Sequence, residues 1–443
     1  MRQMNGQRWK WMLLAGLLFC LSGCMFRGSD ELFAIPRTSE TYQKLQDSIQ
    51  KVMGSAVAIS PISGGNTQTI QLVDLDGDGI QEALAFYRDN STDWPLKIAI
   101  FKQNEEGEYA LSAQIQGAGT DIESIEYKDL VDGKELELLV SWQVTPTVHT
   151  LVAYRVQDNQ VAELMRNGYS RYIATDLNGD EKAEVLLVQM GSGNQMVNRA
   201  ELYVGADGAM ELQSSAPLSE GVGSLQLWEA GTLKDKVPAV LLTCEYGEND
   251  QITDVFALTD TGLRNLSMEE KSRTSIGTLR RYTGVNPTDI NGDGITEIPV
   301  TKSIPSFQSS SGAENFWQTI WKQLDKNGRE TAVLSTYHNN SDRWYLELPE
   351  AWNNLITLSR PEQTAVGERA VGFSYWTGDP SVVPQHFLTI YRLTGNNRDN
   401  HAAKDNRFIL WADSETVYAA EFHEAGWDSG LDKDGLLARF HAT

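Results

Sequence analysis

The stretch that decides the fold reads Asp74-Leu75-Asp76-Gly77-Asp78-Gly79-Ile80-Gln81-Glu82 and is followed by an apolar run over residues 83–87. It joins a tight acidic loop to a segment of strand-forming residues. Close copies lie at residues 176–184 before the run 185–188, and at 289–297 before 298–300. Weaker copies lie at 129–137 before 138–142, and at 229–237 before 239–243. The copies begin 47 to 60 residues apart, which indicates an internal repeat.

A second apolar run and a turn follow each copy. The second runs span residues 98–101, 151–156, 202–204, 255–259 and 317–321. The turns span residues 104–107, 158–159, 207–208, 260–262 and 327–328, and most of them contain Asn or Asp beside Gly. Apolar runs joined by such turns predict β-hairpins. Five such units without a strong helix between them favour a mainly β chain of small antiparallel sheets stacked radially, a β-propeller. A sandwich of similar hairpins is the alternative.

The repeated loop, Asp-x-Asp/Asn-x-Asp-Gly-x-x-Glu before an apolar strand, resembles the FG-GAP/VCBS repeats of integrin-type β-propellers. The resemblance covers about residues 55 to 340. The order of features along the chain also resembles VCBS-repeat lipoproteins of Firmicutes. It implies a propeller fold and carries no particular activity with it.

The acidic loops predict structural calcium sites. Calcium prefers six to eight oxygen ligands, which short carboxylates on a curled loop can supply. The predicted ligands are Asp74, Asp76, Asp78, Ile80 (carbonyl) and Glu82; Asp176, Asn178, Asp180 and Glu184; and Asp289, Asn291, Asp293, Ile295 (carbonyl) and Glu297. Two features depart from the family pattern: Glu181 stands where Gly is preferred, and Glu replaces the common Asp at the ninth position. The alternative is that these loops are simply good turns.

The N-terminus predicts export and lipid anchoring. Three basic residues precede an uncharged apolar run over residues 11–21, which is shorter than the roughly 20 residues of a membrane-spanning helix. The run ends in Leu21-Ser22-Gly23-Cys24, which resembles the lipobox of bacterial lipoproteins. The resemblance implies cleavage before Cys24, diacylation of its thiol and attachment to the outer face of the cell membrane. An ordinary signal peptide that ends near a cysteine is the alternative.

These signals predict four segments. Residues 1–23 are a signal peptide, and residues 24–66 contain the lipidated cysteine, a tether and a short amphipathic helix near residues 41–53. Residues 67–340 contain the propeller repeats, and residues 341–443 form a β-rich C-terminal module, either antiparallel β or α+β. The acidic loop does not recur after residue 340, which favours a separate module over two divergent blades.

Composition narrows the function. The net charge is −23, and about −26 without residues 1–23, so nucleic acid is excluded as a partner. Only Cys24 and Cys244 remain after cleavage, and Cys244 lies in an apolar strand.

No catalytic motif is complete: His423-Glu424 begins a zinc-protease pattern, but Trp427 replaces its second histidine. We expect a non-enzymatic protein that binds a surface protein or wall polymer. A hydrolase with a site on the propeller axis, or an accessory protein of envelope assembly or sporulation, is the alternative.

Overall fold

The computed structural model describes residues 40–443, except residues 105, 132, 134, 192–197, 282–283, 308–314, 362–364 and 405. The predicted signal peptide, Cys24 and the tether therefore lie outside the described residues. Within the described part of the chain, no helix is long and apolar enough to span a bilayer.

Strands make up 54% of the chain and helices 8%, so the prediction of a mainly β fold is confirmed. Every sheet is antiparallel, and the sheets follow one another along the chain. The first sheet contains β1 (Val57–Ala58), β2 (Ile70–Val73), β3 (Glu82–Arg88), β4 (Leu96–Gln103) and β5 (Tyr109–Gly117). The second contains β6 (Asp121–Lys128), β7 (Glu137–Thr145), β8 (Val148–Gln157) and β9 (Gln160–Tyr169). The third contains β10 (Arg171–Thr175), β11 (Glu184–Gln189), β12 (Arg199–Ala206) and β13 (Ala209–Pro217).

The remaining three sheets continue the same order. The fourth contains β14 (Val222–Leu233), β15 (Val237–Tyr246), β16 (Asp250–Thr259), β17 (Gly262–Asn265) and β18 (Arg280–Arg281). The fifth contains β19 (Ile298–Ile304), β20 (Phe316–Leu324), β21 (Glu330–Asn339) and β22 (Trp344–Glu347). The sixth contains β23 (Ile356–Ser359), β24 (Glu368–Tyr375), β25 (Gln385–Thr394), β26 (Arg407–Ala412) and β27 (Thr416–Phe422). The last strand, β28 (Phe440–Ala442), returns to the fifth sheet.

Three short 3₁₀ turns and three helices complete the described structure. The 3₁₀ turns are Lys234–Lys236, Ile276–Thr278 and Glu350–Trp352, and the helices are α1 (Glu40–Met53), α2 (Arg398–Ala402) and α3 (Lys433–Leu437).

The predicted runs and turns coincide with strands and hairpins. Each apolar run that follows an acidic copy lies in β3, β7, β11, β15 or β19, and each second run lies in the next strand. Asp158 and Asn159 have φ of 50° and 60°, and Asp207 and Gly208 have φ of 47° and 81°. Positive φ at both central residues is typical of the two-residue turns whose twist matches paired strands.

The middle strands of the inner sheets are buried on both faces, which explains why these strands are continuously apolar. In β7, Leu138 and Val140 pack in the core shared with the first sheet, whereas Leu139 packs in the core shared with the third. In β11, Val185 packs in the core shared with the second sheet, and Leu186 packs in the core shared with the fourth. Successive side chains of a strand point to opposite faces, so a strand between two cores needs apolar residues at every position.

Helices cover the outer faces of the first and last sheets. Leu45 and Ile49 of α1 pack against Ala85 and Phe101, as the predicted amphipathic pattern requires. On the sixth sheet, Ala402 of α2 packs in one cluster with strand residues that include Tyr391 and Val417.

The predicted domain boundary between residues 340 and 341 lies inside one sheet. Strands β21 and β22 are hydrogen-bonded neighbours on either side of it. Strand β28 pairs with β22 in the register Trp344 to Ala442. The core beside them combines Phe316 and Tyr337 with Trp344 and many residues of the sixth sheet. Residues 341–443 therefore share a sheet and a core with the preceding residues, unlike the separate module that the fading repeat predicts.

We expect a fragment of residues 341–443 to aggregate rather than to melt cooperatively. Without β21, the edge of β22 loses its partner and the shared aromatic core is exposed. A fragment that begins at Ile298 keeps both complete sheets and should be the more soluble of the two. Sedimentation and thermal melting of the two fragments test this, and a soluble, cooperatively melting 341–443 fragment would restore the predicted boundary.

Candidate functional site

The three predicted loops share one pattern of hydrogen bonds between side chains and backbone. In the first loop, the two carboxylate oxygens of Asp74 accept the N–H groups of Gly77 and Gly79, each at 2.9 Å. Asp78 Oδ1 accepts the N–H of Ile80 at 2.7 Å. The second and third loops repeat these bonds at 2.6 to 3.0 Å. Each loop is therefore a self-supporting turn whose acidic side chains already bind backbone amides.

The sixth position of each loop requires a left-handed backbone. Gly79 and Gly294 have φ of 86° and 82°, and Glu181 takes the same conformation with φ of 70°. A side chain in this conformation costs roughly 1–2 kcal/mol relative to glycine, so the second loop carries strain that the other two avoid. In the third loop, Ile295 donates its N–H to Asp293 Oδ1, as Ile80 does in the first.

The glutamate at the ninth position is buried and closes each loop. Glu82, Glu184 and Glu297 are at most 4% exposed, and burial raises the pKa of all three carboxyl groups. Each Oε2 accepts the N–H of the residue at the second position: Leu75 at 2.8 Å, Leu177 at 2.7 Å and Ile290 at 3.0 Å. The glutamate side chain therefore reaches from the start of its strand back across the loop to this backbone amide.

A polar side chain from the neighbouring strand reaches into two of the loops. In the first, Lys102 of β4 contacts Asp76, and its Nζ lies 3.5 Å from Asp78 Oδ2. The hydrogen bond to Asp76 raises the pKa of Lys102. In the third, Gln323 of β20 donates to Asp293 Oδ2 at 2.8 Å and to Glu297 Oε1 at 2.6 Å. The first loop thus contains an internal cation, whereas the third contains a neutral amide.

The second loop has no such partner on β12. In the register of β11 and β12, Val185 pairs with Tyr203, so Val204 is the next residue on the side of Glu184. Instead, Asn178 within the loop donates its Nδ2 to Glu184 Oε1 at 2.8 Å. Lys182 Nζ is 3.8 Å from Asp180 Oδ2 at the rim, so the loop carboxylates face less positive charge than those of the first loop.

The weak copy at residues 129–137 keeps the closing glutamate and pairs it with an arginine. Glu137 is fully buried, and its Oε2 accepts the N–H of Leu130 at 2.8 Å. Its Oε1 accepts hydrogen bonds from Nε and Nη2 of Arg155 on β8, both at 3.0 Å. A guanidinium therefore supplies here the positive charge that a metal ion would supply in an intact loop.

The loops also bind one another and so join consecutive sheets. The residue at the eighth position donates its N–H to a carbonyl of the preceding copy. These bonds are Leu136 to Leu75, Ala183 to Asp129 and Thr296 to Thr232, each at 2.8 Å. A side chain at Gly205 on β12 would collide with the carbonyl oxygen of Leu130, so this contact requires glycine.

The structure brings most of the predicted ligands together in three groups that could hold a metal ion. The groups are Asp74, Asp76 and Asp78; Asp176, Asp180 and Glu184; and Asp289, Asp293 and Glu297. Glu82 lies outside the first group, and its Oε1 is buried without a hydrogen-bond partner. Asn178 and Asn291 each accept the N–H of the aspartate two residues on, at 2.7 and 3.0 Å.

A cavity that the sequence did not predict lies where the second, third and fourth sheets begin. Its volume is about 890 Å³, and it is lined by the edge strands β6, β10 and β14 and by a loop before β2. That loop runs alongside β6 in space, because Ile62 and Ser63 donate their N–H groups to the carbonyls of Ile122 and Glu123. The aromatic lining residues are Tyr127, Tyr169, Tyr172 and Trp228.

Charged and hydrogen-bonding groups converge in this cavity. Glu123 is the extra residue of a β-bulge on β6, and its carboxylate accepts a hydrogen bond from Ser63 Oγ at 2.8 Å. The other oxygen of Glu123 lies 3.7 Å from Nε2 of His149. Glu126 and Lys128 form a second pair at 3.7 Å. A bulge changes the direction of a side chain, and this one places Glu123 in the lining of the cavity.

The aromatic side of the cavity is ordered by ring contacts. Tyr169 and Tyr172 meet edge to face with their centres 5.1 Å apart, and the guanidinium of Arg171 lies 4.8 Å from the centre of the Trp228 ring. Burial raises the pKa of Tyr127, Tyr169 and Tyr172, so their phenols remain neutral groups at ordinary pH. The cavity thus combines apolar ring surfaces with polar groups of both charges.

Two further sets of residues carry groups that can titrate. His386 and His423, far apart in sequence, lie with their ring centres 4.3 Å apart and their planes inclined by 32°, and both Nε2 atoms contact the hydroxyl of Thr389. Burial, and then His423, lower the pKa of His386. Cys244 is buried, and burial raises its pKa to about 12, which makes it an inert core thiol as its strand context predicts.

No protein-family model matches the sequence, and no curated protein does so either. Among solved structures, the chain is similar to the exotype rhamnogalacturonan lyase YesX, with 13% identity and a TM-score of 0.26 over 71% of this chain and 61% of the lyase. It is also similar to a hypothetical protein from Leishmania major, with 10% identity and a TM-score of 0.23 over 62% of this chain and 89% of that one. These TM-scores are too low to carry an argument about fold or function.

We expect Arg155→Met to destabilise the protein by about 3 kcal/mol, because it leaves the buried carboxylate of Glu137 without its partner. Adding Glu137→Gln should recover more than half of this loss, since the neutral amide still accepts the N–H of Leu130. Arg166→Met is the matched control, because Arg166 pairs with Glu163 at the surface and should contribute less than about 1 kcal/mol. Chemical denaturation measures all three, and equal losses in Arg155→Met and Arg166→Met would contradict the assigned role.

Proposed function

We propose that this chain is a lipid-anchored protein of the outer face of the cell membrane that binds a surface protein or wall polymer without catalysing a reaction. The observation that carries the proposal is the cavity of about 890 Å³ between the second, third and fourth sheets. Its volume falls within the roughly 300–1,000 Å³ of typical ligand sites, and such sites combine apolar walls with a few converging polar groups.

We further propose that the six sheets are blades of a propeller-like stack of FG-GAP/VCBS-type repeats. Three features support this proposal. The sheets share cores with their neighbours in chain order. Backbone hydrogen bonds join three pairs of consecutive loops, and the first strands of the second, third and fourth sheets line one cavity. In this arrangement α1 and α2 would cap the first and last blades, as terminal elements do in other stacked repeats.

Calcium is the ion that the acidic loops suit best, and it would brace the stack rather than take part in chemistry. The proposal rests on the all-oxygen donor sets at positions 1, 3, 5 and 9. The second and third loops should bind it more tightly than the first. Lys102 competes for the first set of carboxylates, whereas Gln323 can rotate its amide and present an oxygen to the ion.

A hydrolase is the second candidate, and one contact favours it. The Glu123 carboxylate lies 3.7 Å from His149 inside the cavity, and carboxylate–histidine pairs are common acid–base groups. The binding function ranks first because Glu123 is also tied to Ser63 and no nucleophile lies in hydrogen-bonding contact with His149 among the described contacts.

Excess calcium should raise the melting temperature, by the equivalent of about 2.7 kcal/mol per site at 100 times the Kd. Asp180→Asn and Asp293→Asn should each reduce this rise, whereas the matched change Asp78→Asn should reduce it least. Lys102→Met should increase the response by freeing the first loop. Melting curves in chelator and in calcium test the order, and a melting temperature that does not respond to calcium would identify all three loops as turns only.

The anchoring proposal concerns Cys24, which lies outside the described residues. Cys24→Ala should abolish incorporation of radiolabelled fatty acid and should move the protein out of the membrane fraction, because the acylated thiol is lost. Cys244→Ala is the control and should leave both properties intact. A labelled Cys24→Ala protein would refute the assignment.

Binding through the cavity is tested with the mature protein in mild detergent and with detergent-washed cell walls of the producing cells. The wild-type protein should sediment with the walls, and Tyr172→Ala should lower the retained fraction at least fivefold. Tyr42→Ala, a change of an exposed tyrosine on α1, should have no effect. Equal retention of all three proteins would place the binding surface elsewhere.

A further inference from the structure

An exposed tryptophan forms part of the wall of the cavity. Trp228 on β14 is 37% exposed, although most large apolar side chains of the inner strands are buried. Arg171 holds the indole in place from one side at 4.8 Å. The face of an aromatic ring carries partial negative charge and attracts the weakly positive C–H groups of a ligand. The apolar face of a pyranose ring presents such a row of C–H groups.

The polar groups around this ring suit a ligand rich in hydroxyl groups. Glu123, Gln143, Asn66 and Arg171 line the same cavity, and each offers two or more donor or acceptor atoms in a plane. Neighbouring hydroxyls of a sugar both donate and accept, so they can bond two atoms of one such side chain. Each group already makes a hydrogen bond within the protein, namely Glu123 with Ser63, Gln143 with Thr120, Asn66 with the carbonyl of Ile125 and Arg171 with that of Ser170. The remaining donor and acceptor atoms of these groups are the ones that a sugar would bind.

The charge of the cavity argues against a strongly charged ligand. Two carboxylates, Glu123 and Glu126, stand against the cations Lys128 and Arg171. A polyanion such as a phosphate-rich polymer would meet both carboxylates, and a polycation would meet both cations. A neutral ligand avoids both penalties.

We infer that the cavity binds a segment of a neutral oligosaccharide, with Trp228 as the stacking platform and Glu123 as a principal hydrogen-bond acceptor. This inference rests on the proposed function, because it names the ligand class of the same cavity. At about 890 Å³ the cavity has room for more than one sugar ring, which favours a stretch of a longer chain over a single monosaccharide.

Selective destruction of wall components separates this inference from the proposed function. Periodate cleaves the vicinal diols of polysaccharides, whereas protease removes wall proteins and leaves the sugars. Retention of the mature protein should be lost on periodate-treated walls and kept on protease-treated walls. The reverse result would overturn the oligosaccharide and leave the cavity as a protein-binding site. If untreated walls do not retain the protein, the result would contradict the proposed function itself.

Soluble probes decide the ligand class independently of the wall. Titration calorimetry with cellotetraose, xylotetraose and mannotetraose, all of which contain vicinal diols, should detect binding of at least one. Trp228→Ala and Glu123→Gln should each weaken that binding at least tenfold, with Trp228→Phe intermediate. Trp94→Ala, a change of an exposed tryptophan on the loop between β3 and β4, is the matched control and should not alter it. Unchanged melting temperatures would show that the variants are folded. Binding of none of the three sugars, or binding that survives Trp228→Ala, would overturn the inference.

Discussion

The carboxylate that closes each acidic loop is the interaction on which the rest of the structure depends. Glu82, Glu137, Glu184 and Glu297 are buried at the start of their strands, and each holds the amide of the second loop residue. This bond fixes the loop on its strand, and a backbone bond from the residue just before the glutamate then ties three of the loops to the preceding copy. The loops therefore set the spacing between sheets. The other oxygen of the glutamate accepts a hydrogen bond from an arginine in one loop and from an amide in two others, and the geometry stays the same.

The spacing set at the loops has consequences for the whole sheet. Because neighbouring sheets are held face to face, every middle strand lies between two cores and must be apolar on both sides. The same arrangement brings the edge strands β6, β10 and β14 together at the cavity. Polar and aromatic residues that would be ordinary surface groups on a single sheet therefore come together in the cavity from three sheets. The candidate site is thus a product of how the sheets stack, whereas the metal groups are products of single loops.

This difference explains what could be predicted from the sequence. The acidic loops, the strands after them and α1 were predictable because each is encoded within a short segment by spacing and polarity. Lys102, Arg155 and Gln323 were not, because their distances from the closing glutamates are 20, 18 and 26 residues and change with hairpin length. Only the strand register shows that they occupy one equivalent place. The cavity residues come from three sheets and the loop before β2, so no single spacing along the sequence joins them. The pairing of β28 with the fifth sheet could not be predicted either, because a strand of three residues is too short to show a pattern of alternating polarity.

The position of β28 also determines the order in which the molecule can be completed. The fifth sheet contains residues 440–442, and its partner strand β22 is made almost a hundred residues earlier, as the contact between His441 and Glu347 shows. During synthesis from the N-terminus, the first four sheets can form in sequence, whereas the fifth keeps an open edge until the sixth sheet has been made. A product that stops within the sixth sheet would therefore leave the edge of β22 unpaired, and it would present an exposed strand of the kind that promotes aggregation.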